Sequence, residues 1–319
     1  MKIGILANPS AGRGHAAQSV ISRIESCWSD HELYAIDQPS GSPFKKAVQL
    51  PAPEGGYVEK LYASVEKLVS AGVEMLVTLG GDGTAAYAAE ALHVLGCRIP
   101  ILGIGLGTAN VGPIVTLSSK DPIPPVESLR FEPVSGIAVY TGGRRIAAGY
   151  NDVIFGNTYL ATIKGETIVA DGQALLDEGW VRPGKPLSNV LTPQTRILKN
   201  GTILPVSLPE VGQMIAAPID RDALYGRTVL GVYCFSAGSP DQGALTLCAR
   251  SLISFEPDHR GYGAFASEEH LLFSADDTIT ITGLAPSVLA VCDGNPLKIT
   301  DGSVMLQYIP KDALIAKRR

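Results

Sequence analysis

The residues best suited to chemistry are packed into one short run, Gly80-Gly81-Asp82-Gly83-Thr84. The run follows a strand-like apolar stretch, Val73 to Leu79, and precedes a helix-like stretch, Thr84 to Leu95. Glycines let the backbone turn sharply and come close to a ligand. The start of a helix offers backbone N–H groups that seat phosphate. Asp82 is the one carboxylate in the loop. Beside bound phosphates it could accept a proton from an attacking hydroxyl or help to hold Mg²⁺. The same residue types also make an ordinary strand-to-helix turn, so the neighbouring loops decide between the two readings.

Two of those loops carry matching signals. Asn8-Pro9-Ser10-Ala11-Gly12-Arg13-Gly14 follows the first apolar run. Gly12 permits a tight anion-binding turn, and Arg13 is a phosphate partner. Gly103-Ile104-Gly105-Leu106-Gly107-Thr108-Ala109-Asn110-Val111-Gly112 follows the fourth. Its alternating glycines, with Thr108 and Asn110, suggest backbone lying against a flat or phosphorylated ligand; a flexible glycine loop is the plainer alternative. Other motifs fail. No G-x-G-x-x-G follows the first strand, and no G-x-S-x-G elbow or protein-kinase signature is present. Gly179 to Lys185 has the spacing of a phosphate-binding loop, but Pro186 stands where a Ser or Thr would hold Mg²⁺.

Positioning these loops requires a particular order of elements. Lys2–Ala7, Leu33–Ile36, Val73–Leu79 and Ile99–Ile104 read as strands. His15–Trp28, Tyr57–Ala71 and Thr84–Leu95 read as helices, the first with Ala17, Val20, Ile21, Ile24, Cys27 and Trp28 on one face. Asp37–Gly56 reads as a long loop. This alternation predicts a Rossmann-like parallel sheet with helices on both faces and ligands at the carboxyl ends of the strands. Beyond Asp121-Pro122-Ile123-Pro124-Pro125, a linker or turn, the pattern changes. Ile137–Thr141 and Arg144–Ala148 flank Gly142-Gly143, a hairpin signal. Thr158–Ile163, Val229–Phe235, Leu271–Phe273 and Thr278–Thr282 continue a mostly β region, while residues 165–227 show weak periodicity. The expected domains are 1–125 and 126–295, with a tail from about 296 to 319 that returns to the first.

Bulk properties exclude several classes. The 319 residues are 45% hydrophobic and 18% charged, ample material for a core. The formal net charge is −5, and the one basic cluster is Lys317-Arg318-Arg319, so nucleic acid is not an expected partner. No apolar run approaches the roughly 18 residues of a membrane span. The five cysteines, Cys27, Cys97, Cys234, Cys248 and Cys292, form no C-x-x-C pair. That usage suits reduced thiols in a cytoplasmic setting. The five histidines show no metal-ligand spacing.

The order N-P-x-A-G-x-G, G-G-D-G-T, G-x-G-T-A-N-V-G resembles the superfamily that joins NAD kinases to diacylglycerol and sphingosine kinases. Asn151-Asp152-Val153 resembles the NAD kinase Asn-Glu motif, and Asp293-Gly294 resembles a late Asp-Gly of that family in a strand returning to the first domain. The resemblance implies an α/β domain followed by a β-sandwich-like domain. It implies ATP, or polyphosphate in some members, as donor with a divalent metal, and NAD as substrate or ligand. Asp82 would be the catalytic carboxylate. Gly80, Gly81, Gly83 and Thr84 would cradle donor phosphates, with Asn8, Gly12, Arg13, Gly107, Thr108 and Asn110 as further nucleotide contacts. Asn151 and Asp152 would bind the acceptor, on its adenosine ribose or nicotinamide side. A homo-oligomer is also implied. Three departures stand out. Asp152 replaces the usual Glu, the Gly-Ser-Thr-Ala-Tyr segment has no counterpart beyond a poor match at Phe235–Ser239, and the first loop is closer to the lipid-kinase form. Together they resemble the acetoin-catabolism protein X-like branch. A catalytically silent nucleotide-binding protein and a lipid kinase on the same scaffold are the alternative readings.

Overall fold

A computed structural model describes residues 1–8, 14–37, 43–106, 112–163, 166–219, 241–251 and 268–319. The chain divides into two compact units, Met1–Val134 with Lys311–Arg319, and Ser135–Pro310. The described strands and helices of the first unit run β1 (Lys2–Ala7), α1 (Gly14–Cys27), β2 (Glu32–Ile36), β3 (Val48–Leu50), α2 (Tyr57–Ser70), β4 (Met75–Gly80), α3 (Asp82–Val94), β5 (Ile101–Gly105) and β6 (Val115–Ser118). β7 (Leu129–Thr141) carries the chain into the second unit. There follow β8 (Arg144–Gly149), β9 (Val153–Gly156), β10 (Thr158–Ile163), β11 (Glu166–Asp171), α4 (Gly172–Glu178), β12 (Leu191–Lys199), β13 (Thr202–Leu204), β14 (Gln213–Ile219), β15 (Gln242–Cys248), β16 (Glu268–Phe273), β17 (Ile279–Leu284), β18 (Leu289–Cys292) and β19 (Asn295–Lys298). β20 (Val304–Arg318) brings the chain back.

Among the described residues of the first unit, parallel strands lie in the order β3-β2-β1-β4-β5, with β6 and the end of β20 also parallel to β5. The chain moves outward through β2 and β3, then restarts on the other side of β1 with β4. The order therefore reverses between β1 and β4, where Ala7 pairs with Leu79. β1, β4 and β5 are buried almost without interruption, as expected for strands covered on both faces. α1 presents Val20, Ile21 and Ile24 to this core, joined by Trp28 just past its end. α3 is instead buried nearly all round, its alanines combining high helix propensity with little bulk. Tyr57 and Tyr62 of α2 both meet the Tyr87 ring edge-on, with centroids 6.3 and 6.4 Å away. The Asp121–Pro125 stretch, expected as a linker or turn, is fastened to α1: Trp28 Nε1 donates to the Pro124 carbonyl at 2.8 Å, and Arg23 to those of Ser119 and Asp121.

The second unit is a β-sandwich. One sheet is β16-β15-β14-β9-β18-β19, antiparallel throughout. The opposing layer holds β13, β12, β17 and the start of β20, together with the β7–β8 hairpin. Their inner faces share one core, including Val139, Ile281 and Leu306 from one layer and Phe155, Met214 and Leu245 from the other. The hairpin turns on Gly142 and Gly143 at φ +55° and +74°, the left-handed pair that a two-residue turn requires. The weakly periodic 165–227 region contains β11, α4, β12, β13 and β14 among its described residues. β14 is buried at every position and contains Pro218, so it shows no alternation to read. Val229–Phe235, expected as a strand, lies outside the described residues.

Candidate functional site

The reversal of strand order puts the carboxyl ends of β1 and β4 side by side, where open α/β sheets bind ligands. Asn8 follows β1, and its backbone N–H bonds to the Leu79 carbonyl at 2.9 Å. Its side chain donates to Thr84 Oγ1 at 3.1 Å and to the Tyr57 hydroxyl at 3.0 Å. One amide thus ties together the end of β1 and the first turns of α2 and α3. Burial pushes the Tyr57 phenol up, opposed by its hydrogen bonds to Thr84 and Asn8. Tyr57 carries no motif, so sequence reasoning had no signal for it.

Gly80, Gly81 and Gly83 were expected to serve a sharp turn. None of them has a left-handed φ. Gly81 is the extended N-cap of α3, at φ −112° and ψ −172°. Gly80 is required by space: a Cβ there would lie 2.5 Å from Thr84 Oγ1 and 2.8 Å from its Cβ. The Thr84 side chain therefore folds back over β4, where Asn8 meets it. Asp82 is the first residue of α3 and is 8% exposed. A carboxylate in the first turn is favoured by the helix dipole, and the adjacent N–H groups favour an anion. Gly103, in the third expected ligand loop, has a structural role, since a Cβ would run into the Ile114 carbonyl oxygen and lie 2.8 Å from Val115 Cα. Gly12, Arg13, Gly107, Thr108 and Asn110 lie outside the described residues.

Beside this cluster is a cavity of about 280 Å³. Ile36, Phe44, Pro53 and Leu61 give it apolar walls, while Asn8, Asp37, Lys60 and Thr84 supply polar groups. Asp37 follows β2, the place where related topologies put a ribose-binding carboxylate. That position was legible in principle, but the sequence reading assigned Asp37 only to a loop.

In the second unit, Asn151 and Asp152 form a tight corner between β8 and β9, each 6% exposed. Asn151 Nδ2 donates to Asp152 Oδ2 at 2.8 Å. Among the described residues Asn151 Oδ1 is buried with no hydrogen-bond partner. Gly149 makes the corner possible, because a Cβ there would strike the Asp152 carbonyl oxygen. Asp293-Gly294 is the turn between β18 and β19 within this unit; the strand that returns to the first unit is β20. Thiol chemistry has little support here. Burial, with a smaller push from Glu268, raises Cys248 to about 12, far from the range of reactive thiolates.

Residues 4–118 match the ATP-NAD kinase N-terminal domain family. The whole chain is similar in fold to yeast NADH kinase complexed with NADH, with a TM-score of 0.53, 15% identity, and coverage of 99% of this chain and 82% of that one. The fold is the one that solved NADH kinase and diacylglycerol kinase structures share, and the family match lies in its first part. The diacylglycerol kinase side is represented by a structure from Bacillus anthracis strain Sterne, with a TM-score of 0.50, 12% identity, and coverage of 98% and 96%. A protein of Archaeoglobus fulgidus described as uncharacterized is 24% identical over 309 residues, spanning 96% of this chain and 95% of its own. These likenesses carry the two-part NAD kinase-like architecture.

Proposed function

We propose that this protein is an NAD kinase-like phosphotransferase that moves the γ-phosphoryl group of ATP to a hydroxyl of NAD or a related nucleotide. The observation that carries the reading is the buried Asp82 carboxylate at the first turn of α3, at the point where strand order reverses. Donor phosphates sit against the Gly80–Thr84 turn and the start of α3, oriented by Asn8 and Thr84. The base and ribose occupy the neighbouring cavity, with Asp37 accepting from ribose hydroxyls. Asn151 and Asp152 hold the acceptor.

Asp82 takes the proton of the attacking hydroxyl as its oxygen bonds to the γ-phosphorus and the bond to the β–γ bridging oxygen breaks, releasing ADP. Most of the acceleration comes from positioning and from charge already in place. Mg²⁺ in such sites is held by one or two carboxylates and the phosphates themselves; Asp82 is the carboxylate at hand, and a bound ion would neutralise phosphate charge.

The test is ADP release from ATP and Mg²⁺ by wild type and Asp82→Asn, with and without NAD, followed by mass analysis of the nucleotides. NAD-dependent ADP together with a phosphorylated NAD, from the wild type only, is the expected result. Equal turnover in Asp82→Asn removes it as the base. Nucleotide binding without turnover on NAD rejects the assigned acceptor, and a screen that includes diacylglycerol then distinguishes a lipid kinase from a silent nucleotide-binding protein.

A further inference from the structure

We propose that Asp293 is the positioning residue of the acceptor site, its carboxylate fixing the backbone corner that presents Asn151 and Asp152. This rests on the reading that those two residues hold the acceptor. Asp293 Oδ2 accepts from the Tyr150 N–H at 2.8 Å, and Oδ1 accepts from the N–H groups of Asn151 and Asp152 at 2.8 and 3.0 Å. The Asp293 N–H returns a bond to the Asp152 carbonyl at 3.0 Å. Three successive amides around one carboxylate make a closed anion nest, and Asp293 is only 6% exposed. A carboxylate buried this deeply is tolerable because charge-assisted bonds replace its water.

The turn that carries it is equally specific. Cys292 pairs with Asn295 across the β18–β19 hairpin, so Asp293 and Gly294 are its two loop residues, at φ +47° and +83°. Asp is among the few side chains that accept such a φ. The geometry couples the two loops in one direction. With its three amides committed to Asp293, the 150–152 backbone has one conformation, and Asn151 and Asp152 leave it side by side with Nδ2 bonded to Oδ2 at 2.8 Å. The acceptor groups are therefore set before any ligand arrives, by a residue that need not touch it.

Two substitutions separate the carboxylate from the turn. Asp293→Asn keeps the size but puts an NH₂ where a backbone N–H must be accepted. Gly294→Ala strains the same turn through its φ of +83°, with no atom within 4 Å of the added Cβ, and leaves the carboxylate intact. The expected result is that Asp293→Asn loses hydrogen-exchange protection at residues 150–152 and weakens NAD binding about tenfold to a hundredfold, while ATP binding is kept. Gly294→Ala lowers Tm but leaves NAD affinity unchanged. Unchanged protection in Asp293→Asn overturns the grip. Loosened amides with unchanged NAD affinity overturn the positioning role, as does an equal loss of affinity in Gly294→Ala. Wild type that binds no NAD defeats the functional reading instead, and the exchange experiment still decides the grip. If Asp293→Asn does not fold, Asp293→Glu, which keeps the charge but overreaches the nest by one methylene, takes its place with the same outcomes.

Discussion

At the scale of single residues, the Gly80–Thr84 run combines two unrelated demands. Asp82 is the proposed base: replacing its carboxylate with an amide should cut turnover by roughly two to four orders of magnitude, with nucleotide binding retained by calorimetry. Gly80 is steric. Gly80→Ala forces the new methyl group against Thr84, so it should destabilise by about 1–3 kcal/mol. In a Thr84→Gly background, which removes the opposing Oγ1 and Cβ, most of that penalty should disappear; a double-mutant cycle in urea measures it. The run was legible because a lone acidic residue among glycines stands out between a strand and a helix. Its partners were not. Asn8 was expected by resemblance as a nucleotide contact, but its bonds to Thr84 and Tyr57 join residues far apart in sequence in a way that no local pattern encodes. Asp293 was read only by resemblance, since a buried carboxylate bonded to amides more than a hundred residues away leaves no trace in spacing.

At the scale of elements, the α/β half could be read well because its strands are apolar runs bounded by turn residues and α1 has a clear apolar face. β3 could not, being three residues long and largely solvent-facing. β14 could not either, because burial on both sides erases alternation. The segment after β6 is irregular, in keeping with the expected linker or turn, but its carbonyls are used in a way that its prolines do not announce. Trp28 is 1% exposed and bonds to the Pro124 carbonyl. Trp28→Phe keeps an aromatic ring but strands that oxygen, and should lower unfolding free energy by about 1–3 kcal/mol with an unchanged urea m-value. Loss of cooperativity instead would mean that this segment is not part of the first unit's folding core.

At the scale of the whole molecule, stability on the acid side should depend on carboxylates held in hydrogen-bonded turns. Asp277 accepts from the Ser274 N–H at 2.7 Å, from Lys199 at 3.0 Å and from Asn200 at 2.7 Å. These contacts, led by the Ser274 backbone bond, hold its acid well below the usual carboxylate range. Because the folded form binds the proton less readily than the unfolded form, the contribution is complete above the unfolded value near pH 4 and is lost progressively as pH falls from there through the lower folded value. Asp277→Asn should therefore be less stable than wild type at pH 7, and the gap should narrow by pH 3. Urea midpoints at the two pH values, at constant salt, check this; a gap that stays constant would assign the loss to packing.

The return of residues 311–319 to the first unit also sets an order of assembly. Ile315 pairs with Ile101 of β5, Thr116 bonds to the Ala316 carbonyl, and the Arg319 N–H bonds to Ser128. During synthesis most of the first unit is made before the second but lacks these partners until all of the β-sandwich has been made. The sandwich is one uninterrupted stretch of chain and waits for nothing downstream of residue 310. The half that is made earlier is thus the half that is completed last, so the first unit cannot reach its final set of contacts until residues 311–319 have been added.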